Sequence, residues 1–139
     1  MNAKNEVRPR IGDIYLIEFS GIGSEQKGVR PGLVIQNNVG NLHSPNVISL
    51  PLTTKNIDRP LPTHVFISSK DSGLLRDSVV LCENPERISK ERIIKYITSL
   101  SDEYMERIAS AFLISSSVVS YLNQEKLIEL WERAVVLNK

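Results

Sequence analysis

The side chain best placed to do chemistry in this chain is Arg30, within K-G-V-R-P-G-L-V-I-Q-N-N over residues 27–38. Leu33, Val34 and Ile35 follow it and read as a short buried strand, since an apolar run bounded by turn residues suits that setting. Pro31 fixes its own φ and restricts the arginine before it to extended geometry. A guanidinium held this way at the mouth of a strand presents a fork of donors that matches a phosphate. The competing reading is an ordinary surface arginine at a strand start. Other reactive groups are few. Cys82 is the only cysteine, which excludes an internal disulfide and a cysteine zinc cluster. The histidines, His43 and His64, are not at ligand spacing and the carboxylates are scattered, so no metal and no cofactor is expected.

The chain that must position these groups has 139 residues, which points to one domain with one real core. Hydrophobic residues at 41% and charged residues at 24% are ordinary for a soluble globular protein. A formal net charge of +1 means that any basic site is local, not global. No apolar run approaches the ~18–20 residues needed to cross a bilayer, and M-N-A-K-N-E has no signal-peptide core. No membrane association and cytoplasmic residence are expected.

Residues 1–10 read as a frayed polar end, and Gly12-Asp13 as a turn. Strands are expected over 14–19, 32–36, 47–52, 63–67 and 78–82, with turn-rich loops at 20–28, 37–45 and 55–62. A helical turn is expected within 69–75. Five short strands between Gly/Pro/Asn-rich loops predict a small, curled, mostly antiparallel barrel or sandwich. The period then changes. Ser89 can cap a short helix over 90–97, and Ser101 a longer one with Asp102 and Glu103 in its first turn. Met105, Ile108, Ala109, Phe112 and Leu113 form the stripe expected to face the barrel. Residues 123–137 are a further amphipathic helix, with Leu127, Leu130, Trp131 and Ala134 on one side.

G-D-I-Y at 12–15, the run at 23–38, G-N-L-H-S-P at 40–45, L-P-T-H-V at 61–65 and R-D-S-V-V-L at 76–81 resemble the MazF/PemK family of toxin endoribonucleases. The resemblance covers roughly residues 10–118, which divides the chain into a toxin domain at 1–118 and a C-terminal helical extension at 119–139. It implies an α+β, mostly β fold: a small SH3-like barrel of the CcdB/PemK kind with C-terminal helices. It also implies a homodimer, neutralisation by a cognate antitoxin, and metal-independent, sequence-specific cleavage of single-stranded RNA.

By the same resemblance, the catalytic arginine falls on Arg30 and the catalytic threonine on Thr53. In metal-free RNA cleavage the ribose 2′-hydroxyl attacks the adjacent phosphorus, so the enzyme must stabilise the charge growing on the phosphoryl oxygens. Arg30 offers a fixed positive charge and Thr53 a neutral donor. A 2′,3′-cyclic phosphate and a 5′-hydroxyl would result. Arginine is a poor general base at neutral pH. Of the alternatives, His64 sits in a strand pattern and reads as structural, His43 lies in a loop, and Glu25 reads as a solvated loop residue. The base stays unassigned.

RNA contacts, again by resemblance, fall on Ser24, Glu25, Gln26, Glu83 and Asn84. The stretch E-N-P-E-R-I at 83–88 departs from the family's E-Q-I-R, with asparagine for glutamine and Glu86 for arginine. A shortened amide and a displaced charge alter which bases fit. Two rival functions share this fold. A CcdB-like toxin poisons DNA gyrase without cleaving anything, and a non-catalytic binding module would use the tail helix.

Overall fold

The computed structural model describes residues 7–20 and 27–139. Its elements are β1 (Asp13–Ser20), β2 (Lys27–Val34), α1 (Asn38–His43), β3 (Asn46–Thr53), β4 (His64–Ile67), α2 (Ser69–Ser72) and β5 (Ser78–Leu81). Then come β6 (Glu86–Ser89), a 3-10 turn (Lys90–Arg92), β7 (Ile93–Ser99), α3 (Asp102–Ser116), a second 3-10 turn (Val118–Tyr121) and α4 (Gln124–Leu137). Strand β3 joins the sheet together. Its first half pairs with β6, its middle with β2 and its end with β5, so the order runs β4-β5-β3-β2-β1-β7 with β6 attached to β3. Every pairing is antiparallel. The α+β, mostly β architecture read from the sequence is therefore the one adopted.

Alternation along the strands feeds two cores, one on each side of the sheet. Ile14, Leu33, Leu50, Leu52, Val65 and Val80 belong to one, and Tyr15, Ile17, Phe19, Val34, Val47 and Ile93 to the other. Helix α3 covers the first core with Tyr104, Ile108 and Ala111. Truncating fully buried Ile108 to alanine would cost ~2–5 kcal/mol, the range for large-to-small core changes. Gly32 sits where β1, β2 and β3 come closest. A Cβ there would lie 2.7 Å from Ile17 Cδ1 and 2.7 Å from Ser49 Oγ, so only glycine fits.

Several expectations need correction. The second strand starts at Lys27, not residue 32, because β1 pairs with it from Ile14↔Leu33 out to Ser20↔Lys27. Arg30 is thus inside a strand. Residues 37–45 hold helix α1, capped by the Asn37 side chain, which accepts the Gly40 N–H at 2.8 Å. The helix expected over 90–97 is a 3-10 turn followed by β7, since the exposed edge of β1 needs a partner and Ile93, Ile97 and Thr98 favour strand. Strand β6 was hidden in a polar stretch. The α3 stripe is rotated, with Ala109 and Leu113 outside and Tyr104 and Ala111 inside. Tyr104 Oη donates to Asp71 at 2.6 Å and accepts from the Ser68 N–H at 3.2 Å, which draws that edge inward. At the other end of the chain, residues 7–10 are not frayed: Pro9 is buried and the Arg10 N–H bonds Asp13 Oδ2 at 2.9 Å.

The tail does form a helix. Asn123 caps α4 by accepting the Lys126 N–H at 2.8 Å. Its apolar side, however, is not covered by its own barrel: every α4 residue is exposed, Trp131 by 67%. The helix is tied down at its far end, where the Asn38 N–H bonds Asn138 Oδ1 at 3.2 Å and Asn38 Nδ2 bonds the Asn138 carbonyl at 3.0 Å.

Candidate active site

The ladder between β2 and β3 runs from Gly32↔Pro51 to Val34↔Ser49. Carried two residues further, this register would set Arg30 opposite Thr53. At that point the strands part. Residues Leu52 and Thr53 pair with Val80 and Val79 of β5, while Arg30 stays paired with Ile17 of β1. Side chains two apart on a strand share a face, so Arg30 projects on the side of Gly32 and Thr53 on the side of Pro51. The fork between the strands leaves a cleft with Arg30 on one wall and Thr53 on the other.

Two adjoining cavities occupy the cleft, and Arg30, Thr53 and Lys55 border both. The first, of about 270 Å³, is closed by Leu16, Pro31 and Ser78. The second, of about 380 Å³, extends over Asn56, Arg59, His64, Glu83 and Asn84. Thr53 Oγ1 accepts the Lys55 N–H at 3.1 Å, which fixes the hydroxyl oxygen and leaves its proton for another acceptor. His64 Nε2 and Glu83 Oε2 are 2.9 Å apart, a short contact that holds the imidazole at the cavity wall. Neighbouring strands explain the meeting. His64 pairs with Leu81, and Glu83 follows two residues later in a turn closed by the Asn84 N–H on the Leu81 carbonyl at 3.2 Å.

Of the residues singled out in the sequence, Arg30, Thr53, Glu83 and Asn84 meet here. Ser24, Glu25 and Gln26 lie outside the described residues. His43 is elsewhere, on a cavity of about 510 Å³ between residues 7–10 and α1. Arg87, the charge next to Glu86, is tied into β6 opposite Ile48 and does not line the cleft. His64, read as structural, faces the cavity. Lys55 and Arg59 were not singled out, although the position of Lys55 two residues beyond Thr53 was a usable signal. Cys82 is buried behind Glu83, and burial, followed by the nearby carboxylate, pushes its thiol up to about 12, which rules it out as a nucleophile. Among the described residues, no three of His, Cys, Asp and Glu gather closely enough to hold a metal ion.

Comparison with known proteins decides the family. Residues 10–115 match the PemK-like, MazF-like toxins of type II toxin-antitoxin systems. The chain belongs to this family. It is similar to endoribonuclease EndoA of Bacillus subtilis (strain 168), 44% identical over 111 residues that cover 79% of this chain and 96% of the relative. A mycobacterial endoribonuclease solved in complex with its cognate antitoxin superposes with a TM-score of 0.66 at 25% identity, over 79% of this chain and 96% of that one. MazF from Deinococcus radiodurans shares the fold, with a TM-score of 0.71 at 18% identity over 81% of this chain and 100% of its own. The MazF-like match thus contains the whole cleft and stops before α4.

Proposed function

We propose that this MazF-like toxin endoribonuclease cuts single-stranded RNA in the cleft between Arg30 and Thr53, without a metal ion. The observation that carries the reading is the fork of β2 and β3, which faces a guanidinium and a hydroxyl across one cavity. The ribose 2′-hydroxyl loses its proton and its oxygen bonds phosphorus, while the bond from phosphorus to the 5′-oxygen of the next nucleotide breaks. That oxygen gains a proton. The products are a 2′,3′-cyclic phosphate and a 5′-hydroxyl. Arg30 donates to the phosphoryl oxygens as their charge grows, and Thr53 adds a neutral donor. His64, steadied by Glu83, can take or supply a proton at the cavity wall.

Glu83 and Asn84 border the same cavity and contact the substrate, joined by Ser24, Glu25 and Gln26. The toxin domain is residues 1–118, with residues 119–139 an extension. The working protein is a homodimer, neutralised by a cognate antitoxin, as the mycobacterial complex illustrates for its own pair. No helix among the described residues is long and apolar enough to cross a membrane, and we assign the protein to the cytoplasm.

The test is incubation with a long single-stranded RNA in excess EDTA, followed by mapping of the ends. Cyclic phosphate and 5′-hydroxyl ends are expected. A strict magnesium requirement or 5′-phosphate ends would refute the mechanism, and intact RNA would refute the nuclease reading.

A further inference from the structure

We infer that Lys55 and Arg59 form a second phosphate-binding point, which holds the RNA backbone next to the phosphate being cut. The inference rests on the RNA-cleaving reading above. The 380 Å³ cavity falls within the ~300–1,000 Å³ of sites that enclose a whole small molecule, so it has room beyond the single phosphoryl group facing Arg30. Its charge is lopsided. Among the described residues, Arg30, Lys55 and Arg59 line it against one carboxylate, Glu83, and that carboxylate is held by His64. Among the described residues neither Lys55 nor Arg59 is in an ion pair, so both charges are available to an anion.

The loop that carries them is shaped rather than free-running. The Lys55 N–H is bound to Thr53 Oγ1 at 3.1 Å. Asn56 adopts the left-handed region, φ 54°, and the Arg59 N–H closes a turn on the Asn56 carbonyl at 3.1 Å. Pro60 and Pro62 restrict the chain after it. These constraints bring Arg59 back onto the cavity that Thr53 borders. The lining also says which part of the RNA is held. It contains no Phe, Tyr or Trp, so the usual platform for base stacking is missing and the repeating phosphate is the feature that two cations can grip.

The experiment measures binding apart from cutting. The probe is a random-sequence, 2′-O-methylated RNA oligonucleotide pool, whose blocked 2′-oxygens prevent attack. Its affinity is followed across a salt series for the wild-type protein, Lys55→Ala, Arg59→Ala, the double variant and Arg59→Lys. Each lost phosphate contact should flatten the slope of log K against log salt by about 0.7, and the double variant by about 1.4. Arg59→Lys should keep the wild-type slope, because it keeps the charge. On cleavable RNA the loss should fall on KM rather than on kcat. Thermal unfolding confirms that these exposed positions leave the fold intact. An unchanged slope in the double variant, with cleavage still dependent on Arg30, overturns the clamp alone. A wild-type protein that shows the slopes and yet cuts no RNA overturns the nuclease reading and leaves the clamp standing. A wild-type protein that does not bind the pool yet cuts RNA overturns the clamp alone, and one that neither binds the pool nor cuts RNA overturns both.

Discussion

Arg30 and Thr53 occupy positions that the β2–β3 register would pair, but the ladder stops at Gly32↔Pro51 and they face each other across an open cleft instead. A pair left unmade by two diverging strands is held on both sides by other ladders, so its geometry is rigid without being filled. Thr53 stays fixed by Val79, and Arg30 by Ile17.

That arrangement makes Arg30 a residue of the site and not of the core. Arg30→Ala should lower RNA cleavage by at least ~10²-fold, the scale of losing one preorganised donor at a developing oxyanion. Thr53→Val should act in the same direction, since it keeps the branched shape and removes the hydroxyl. Both variants should remain folded by circular dichroism. Near-wild-type cutting by folded Arg30→Ala would remove it from the mechanism.

The His64–Glu83 contact gives a second handle on the chemistry. If the imidazole moves a proton, His64→Ala should slow single-turnover cleavage by ~10²-fold or more, the lower range for a positioned acid or base. Glu83→Gln, which keeps the size and removes the charge, should slow it less. A wild-type single-turnover rate in His64→Ala would confine the pair to holding the cavity wall.

Alkaline stability should report Cys82. Its thiol is raised from 9.0 to about 12 in the folded chain, so the folded state favours the protonated form. The contribution is complete below pH 9, where the unfolded thiol is also protonated, and declines as pH rises toward 12. Tyr15, raised from 10.0 to about 12 by burial and by Asp13, erodes stability in the upper part of the same window. Unfolding midpoints measured from pH 8 to 11 should fall, and fall less steeply in Cys82→Ala. Native protein should resist thiol reagents at pH 8 and react at once in denaturant.

The tail helix can be removed. Truncation after Ser120 deletes α4 and its polar ties at Asn38, while both cores stay whole. The shortened chain should fold, keep its assembly state in sedimentation, and cut RNA at the wild-type rate. A folded truncation that no longer cuts would place α4 in the active site.

The sequence by itself determined a good deal here. Local chemistry fixed β1, β3, β4 and β5, the Ser101 cap of α3, and the tail helix, because alternation, caps and turn residues act over a few neighbours. Ordered motifs fixed the family, and with it Arg30 and Thr53 as the pair to examine. What depended on distant partners stayed hidden. Residues 93–99 become a strand because the edge of β1 is open, and no local pattern states that. The inward roll of α3 follows from Tyr104 reaching Asp71, 33 residues away. His64 looked structural in a strand-like run until β4 was laid beside β5 and turned it toward Glu83. Lys55 and Arg59 belong to a loop whose path is set by Asn56 and two prolines, and only its return to the cleft makes their charges meaningful. The cleft itself is purely tertiary: it exists because β2 leaves β3 after Gly32↔Pro51 while β5 holds Leu52 and Thr53 from the other edge of β3, and pairing between strands is decided by the whole sheet.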